Sequence, residues 1–261
     1  MFPNISPRQA VAVVAVAVPT VYLLLLRRSV MLNVESCVAQ QCGRGGGKSR
    51  KAKTQTASAS EPAFPMSLPQ AISNNETTDY VLWNERVVSK PVVLSELRSP
   101  GEGPDELLTR YVRGTMVAFT WTPQAYLIRK MLPDSVGETF GADYINAMDF
   151  KKVNQRVDGV YTVQYRGTGP CDERVEMRLS PPEGYTGPRS DGIIVAAIEP
   201  AERGSTDAIV FINETWLWRN ANEKPTLLEG FVGRWFHSFL AAWLIEKGTK
   251  AIQQRDSVAK T

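Results

Sequence analysis

A single histidine, His237, stands among 261 residues, and this scarcity removes more classes of function than any residue present adds. One imidazole allows no multi-histidine metal centre, no HExxH protease, and at most one Ser–His or Cys–His arrangement. Cysteine is nearly as rare. Cys37, Cys42 and Cys171 do not make a disulfide framework, and the close pair Cys37 and Cys42 lacks the second pair that a zinc site needs. Acidic residues are missing from the first sixty positions apart from Glu35. A basic face interleaved with aromatics, the mark of a nucleic-acid-binding domain, is also missing: residues 27–60 hold seven positive charges against one negative, Arg8 adds another, and of the net +3 this leaves residues 61–261 near −4.

What the chain does have is one unbroken apolar stretch, Ala10 to Leu26, closed by Arg27 and Arg28. At about 1.5 Å per helical residue it is roughly 25 Å long, near the lower limit for crossing hydrocarbon, and it reads as a single spanning helix. A secretory signal peptide would need small residues for cleavage soon after the run, where this chain has two arginines and then Ser-Val-Met-Leu. Pro19 is tolerable within a membrane helix. The excess of Lys and Arg after the run places the main body on the cytosolic side of an endomembrane, with a short tail, residues 1–9, across it. A mitochondrial membrane is the alternative, because an early segment almost free of acids and rich in Ser, Thr and Arg also fits a presequence. Membrane-anchored oxidases of the UstYa type share the length and the N-terminal span, but they carry two HxxHC motifs that one histidine cannot supply.

Residues 27–78 read as a basic, disordered tether. The part from Cys42 to Gln70 is rich in Gly, Lys, Ser, Thr, Ala and Pro and has too few large apolar residues to offset its chain entropy. Its positive charge suits a position near anionic headgroups, or simply a solvated positive flank. Gly45-Gly46-Gly47-Lys48-Ser49 lacks the GxxxxGKS spacing of a phosphate loop. Cys37 is close enough to the span for palmitoylation, although a free thiol without a role is the favoured reading.

Folded structure is expected over residues 79–254, followed by a tail at 255–261. Residues 80–94 read as extended with a break at Pro91. A helix is expected from Asp105 to Arg113 behind Pro104, and one or two short helices within Tyr111–Leu132, interrupted at Thr122-Pro123 and stopped by Pro133. Alternation over Asp158–Arg166 and over Arg174–Leu179 predicts two half-buried strands joined by a hairpin at Gly167–Pro170. The runs Ile193–Ile198 and Ala208–Trp218 are apolar on both faces and so belong in the middle of a sheet. A final helix spans about Thr226 to Gln254. At 100° per residue it gathers Leu228, Phe231, Val232, Trp235, Phe239, Ala242 and Trp243 on one side, the side expected to pack on the sheet.

Strand, helical segment, antiparallel strands and a long aromatic C-terminal helix around Gly233-Arg234-Trp235-Phe236-His237 is an α+β order. It resembles the helix-grip fold of the START and polyketide-cyclase superfamily, over roughly Asp79 to Gln254. The resemblance implies an antiparallel sheet wrapped on the last helix and a cavity for a lipid, isoprenoid or polyketide. It transfers no site residue, since that superfamily shares fold more than catalytic groups. Residues 134–154 do not fit a clean strand pair.

If a cavity lies between sheet and helix, Tyr161 and Trp216 from the strands and Trp235 and Phe239 from the helix line it as ligand-binding residues. Glu214 shares a strand face with Val210, Ile212, Trp216 and Trp218; desolvated there, its carboxyl is a general acid or base, and paired with an arginine it is structural. His237 is the other catalytic candidate, although the helical plot sets it opposite the aromatic side, among Gly230, Gly233, Ala241 and Gly248. Asp149, Tyr144 and Arg234 suit proton transfer by type only. Asn4, Asn75 and Asn213 head glycosylation sequons, the latter two out of reach in a cytosolic body. No motif requires a cofactor or a metal. The expectation is a membrane-tethered protein that binds a lipophilic small molecule, as a metal-independent cyclase, isomerase or dehydratase of secondary metabolism; the alternatives are a non-enzymatic lipid-transfer module and a membrane scaffold subunit.

Overall fold

The computed structural model describes residues 21–42, 64–73, 80–97, 103–169, 172–202 and 207–253. Alternating apolar residues, with Gly and Pro between the runs, produce eight strands: β1 (Val34–Cys42), β2 (Tyr80–Ser89), β3 (Val92–Val93), β4 (Arg156–Val157), β5 (Tyr161–Thr168), β6 (Glu173–Leu179), β7 (Asp191–Pro200) and β8 (Ala208–Asn220). They form one antiparallel sheet in the order β1-β2-β8-β7-β6-β5-β4, with β3 continuing the edge beside β8. The doubly apolar runs β7 and β8 lie in the interior of this order, as their composition requires.

Residues 27–42, assigned to the tether by composition, are folded. Residues 21–31 are helical (α1), and β1 pairs with β2 along its length, from Val34 opposite Ser89 to Cys42 opposite Leu82. Apart from Val34, buried beside Val87, and Val38 its residues are polar or small, but a strand needs only backbone partners and one face to bury, and β2 supplies the partners. The helix α1 runs through Arg27 and Arg28 and does not stop there. Among the described residues no helix is long and apolar enough to cross a membrane; the greater part of the Ala10–Leu26 run, and residues 43–63 of the tether, lie outside the described residues.

A second part of the expected tether is also in place. Leu68 and Ile72, the latter in the short turn α2 (Gln70–Ser73), are buried against Ile193, Val195, Ile212 and Trp216 on the outer face of the sheet. The Glu176 carboxylate accepts from the amides of Met66 and Ser67 at 2.8 and 2.7 Å and from the Ser67 hydroxyl at 2.6 Å. This strap makes the sheet two-faced.

On the inner face lie α3 (Pro104–Phe119) and α6 (Phe231–Gln253), with α4 (Pro123–Met131) and α5 (Ala142–Ala147) to one side. Pro104 begins α3 with its own unneeded amide, and the Thr122 side chain caps α4 by accepting from the Ala125 amide. The helix α3 buries Leu108, Tyr111, Val112, Met116 and Phe119 on Val163, Val175, Met177 and Phe211, each side chain worth about 1.5–3 kcal/mol in transfer free energy. The sheet therefore grips two helices, and the last helix is not its sole partner. Residues 134–154 form a 3₁₀ segment and α5 instead of strands. Expected alternation from Asp158 to Arg166 is broken twice. Asp158 and Gly159 take positive φ in a turn between β4 and β5, and the register shifts between Val163 and Tyr165.

The buried stripe of α6 is rotated from the helical-plot expectation. Of the expected side Ala242 is fully buried, together with Ala241, Ile245, Gly248 and Ile252, whereas Phe231 and Val232 are 80% and 64% exposed. Two helices share one sheet face, so they meet along their small residues: a Cβ on Gly248 would lie 2.4 Å from the Thr115 hydroxyl and 2.7 Å from the Tyr111 ring. Phe239 and Trp243 then turn outwards, where α1 covers them with Leu26, Val30 and Met31.

Candidate functional site

Between α3, α6 and the middle of the sheet lies a cavity of about 70 Å³, walled by Val112, Met116, Phe119, Met177, Leu240 and Leu244, with Tyr161, Thr215 and His237 among its polar members. Gln124, at the start of α4, is its exposed wall residue. At 10–15 Å³ for each water-sized group in this measure, the space takes roughly five such groups.

The polar side of the cavity is built by strand register and one helix face. Glu85 of β2 stands directly opposite Thr215 of β8, so both side chains emerge on the inner face. Above them, α6 places His237 and Ser238 side by side. Nδ1 of His237 is hydrogen-bonded to one Glu85 oxygen, and the Ser238 hydroxyl donates to the other. Glu85 is 1% exposed. An acceptor at Nδ1 sets the tautomer of a neutral imidazole: Nδ1 carries the proton, and Nε2 presents a lone pair. Nε2 lies 3.5 Å from the Thr215 hydroxyl, and the Trp83 ring meets the imidazole edge-on at 5.8 Å. A buried carboxylate thus orients a histidine whose second nitrogen is at the cavity wall beside Thr215, the arrangement of a general base.

Two neighbours are held neutral. The Cys37 thiol, 3.8 Å from Glu85, is pushed up to about 12 by burial and by the Glu85 charge, so it is a weak donor and not a nucleophile. Burial, aided by the charges of Asp158 and Tyr185, raises the Tyr161 phenol well above its ordinary value. Tyr161 is accordingly a hydrogen-bond donor at neutral pH. Among the described residues no three His, Cys, Asp or Glu side chains converge as metal ligands.

The residues singled out in the sequence are dispersed. His237, Tyr161 and Glu214 stand at the cavity wall, but the Glu214 carboxylate is held away from the space by Arg86 and Trp216. Glu214 points to the opposite face, where Arg86 donates to it and Trp216 Nε1 donates at 2.8 Å, while the other end of Arg86 bonds Glu199 at 2.8 Å. Burial raises the Glu214 carboxyl and the charge of Arg86 opposes the rise. This is the arginine-paired arrangement, with the sheet between it and His237. Trp216 meets the tilted Phe64 ring of the strap at 5.5 Å, Trp235 lies under the Arg27 guanidinium at 5.2 Å, and Phe239 packs with α1, so none of the three faces the cavity. The Tyr144 hydroxyl donates to the Arg156 carbonyl, Asp149 accepts from the Lys151 amide, and Arg234 donates to the Glu229 carbonyl. Asn213 accepts from the Tyr111 hydroxyl at 2.9 Å inside the sheet and is closed to glycosylation in the folded chain.

Glu85, Thr215 and Ser238 were not singled out. A signal existed for Glu85, since in the strand Trp83-Asn84-Glu85-Arg86-Val87 it shares a face with Trp83 and Val87, and an acid on an apolar strand face marks a buried partner. No signal in the sequence pairs it with His237, 152 positions away. The chain matches no protein-family model, no curated protein and no solved structure.

Proposed function

We propose that this protein is a membrane-tethered enzyme that moves a proton on a lipophilic small molecule, as an isomerase, cyclase or dehydratase without a metal, with Glu85 and His237 as the working pair. The observation that carries the reading is the histidine held by a buried carboxylate with its second nitrogen at the wall of an apolar cavity. His237 takes a proton through Nε2, Glu85 stabilises the imidazolium that forms, and Tyr161, kept neutral, donates a hydrogen bond to developing negative charge. Thr215 positions the reacting group or its leaving hydroxyl beside Nε2. The volume admits the reactive portion of a polyketide, isoprenoid or lipid and leaves the remainder at the rim near Gln124. An antiparallel sheet packed on a long C-terminal helix, with the cavity between them, supports kinship with the helix-grip proteins, and the Ala10–Leu26 run supports a bilayer as the source of substrate.

The test uses the full chain, purified from cells in detergent. Native mass spectrometry is expected to find a lipophilic compound on the His237→Gln variant, and wild-type protein added to the extracted compound is expected to convert it. Filling the cavity by Leu240→Trp should abolish retention. A compound retained but unchanged by wild type favours the lipid-transfer reading; absence of any compound from both proteins removes both readings.

A further inference from the structure

The first turns of α6 and residues 21–25 of α1 leave large apolar side chains uncovered. Phe231, Val232 and Phe236 are 80%, 64% and 51% exposed, and Tyr22, Leu24 and Leu25 of α1 are exposed too. The two helices are joined at this place, because the Arg27 guanidinium lies over the Trp235 ring and Val30 is buried in one cluster with Ala241, Ala242 and Ile245. Residues 21–26 therefore extend along the first half of α6. Exposed aromatic and aliphatic side chains gathered in this way mark an interaction surface.

Its occupant is identified by the chain that enters it. In the sequence the uncharged residues 10–20 lead directly into Val21 and Tyr22, so α1 carries the last part of the apolar run, Val21–Leu26. Arg27 lies over Trp235 beside these side chains and Arg28 is exposed next to it, as cations stand at a headgroup boundary. We infer that the face formed by α1 and the first two turns of α6 lies in the bilayer interface, so that the domain rests on the membrane and does not hang from a free tether. This rests on the proposed membrane anchorage and is independent of the chemistry at His237. His237 and Phe236 are adjacent on α6, so the docked edge also carries one wall of the cavity close to the lipid.

The experiment uses the full chain in vesicles of phosphatidylcholine and phosphatidylserine, with p-benzoylphenylalanine in place of Phe236 in one variant and of Val153 in another. Val153 is exposed near the start of α3, where Lys151 pairs with Asp105, and α3 meets α6 there at its far end, Gly114 lying against Ala251. Irradiation is expected to give a lipid adduct at position 236 and none at 153. A crosslink from 236 to a second chain or to residues 10–20, or adducts at both positions, would overturn the docking. Flotation with the vesicles separates the two claims: a chain that floats without a lipid adduct at 236 sinks the docking alone, and a chain that fails to float sinks the anchorage with it.

Discussion

Both carboxylate oxygens of Asp158 are buried and neither has a hydrogen-bond partner. Burial raises this carboxyl well above its ordinary value, with the charge of Arg129 opposing the rise. A raised acid destabilises the fold where the unfolded chain is ionised, so stability falls as pH rises above about 3.9 and is restored below it. Asn keeps the shape and tolerates the left-handed backbone at this position. We expect Asp158→Asn to be more stable than wild type by about 1–3 kcal/mol at neutral pH in urea unfolding, with the gap closing below about pH 4. A gap independent of pH would mean that the carboxyl is satisfied. Glu214 tests the other side of the sheet. Glu214→Gln leaves Arg86 with Glu199 alone, and is expected to cost about 3 kcal/mol in the same unfolding assay while preserving retention of the ligand. Loss of ligand at unchanged stability would return Glu214 to the functional site.

At the scale of elements, the contact between α3 and α6 depends on the absence of a side chain. Gly248→Ala drives a methyl into Thr115 and Tyr111. Because those groups also support the cavity wall, the variant should lose about 1–3 kcal/mol by thermal unfolding and show altered packing around Trp83 and His237 in near-ultraviolet dichroism. A neutral result would show that the helices slide apart freely. The strap is the second such element. Leu68→Ala removes the side chain buried on Ile193 and Trp216 and is expected to cost about 2–4 kcal/mol. Amide exchange should then quicken on the outer face of β7 and β8 while the α3 amides keep their protection. Uniform loss of protection would mean that strap and core unfold as one unit.

For the whole molecule, composition suggests that the folded body begins at Asp79, and the sheet contradicts this. A chain cut there loses β1 and the strap, exposing the long edge of β2 and the apolar outer face together. Size-exclusion chromatography is expected to find it aggregated, whereas the chain with residues 43–63 intact elutes as a defined species in detergent. A well-behaved monomer from Asp79 onward would show that the N-terminal elements are accessory.

Periodicity alone determined the α+β class, the central place of β7 and β8, the hairpin strands and the breaks at Pro91, Thr122-Pro123 and Pro133, because side-chain alternation and missing amide donors act within a few residues. Scarcity alone determined that His237 would stand without a second imidazole. Tertiary structure decided the rest. Which apolar side of α6 faces inwards depends on α3 claiming the sheet beside it, and a helical plot contains no neighbour. Polar segments such as β1 and the strap fold because β2 and Glu176 offer partners to their backbones, a gain that composition does not register. The candidate site is the clearest case: Glu85, Thr215 and His237 come from two strands and a helix, and only strand register and helix rotation bring a buried carboxylate to the one imidazole.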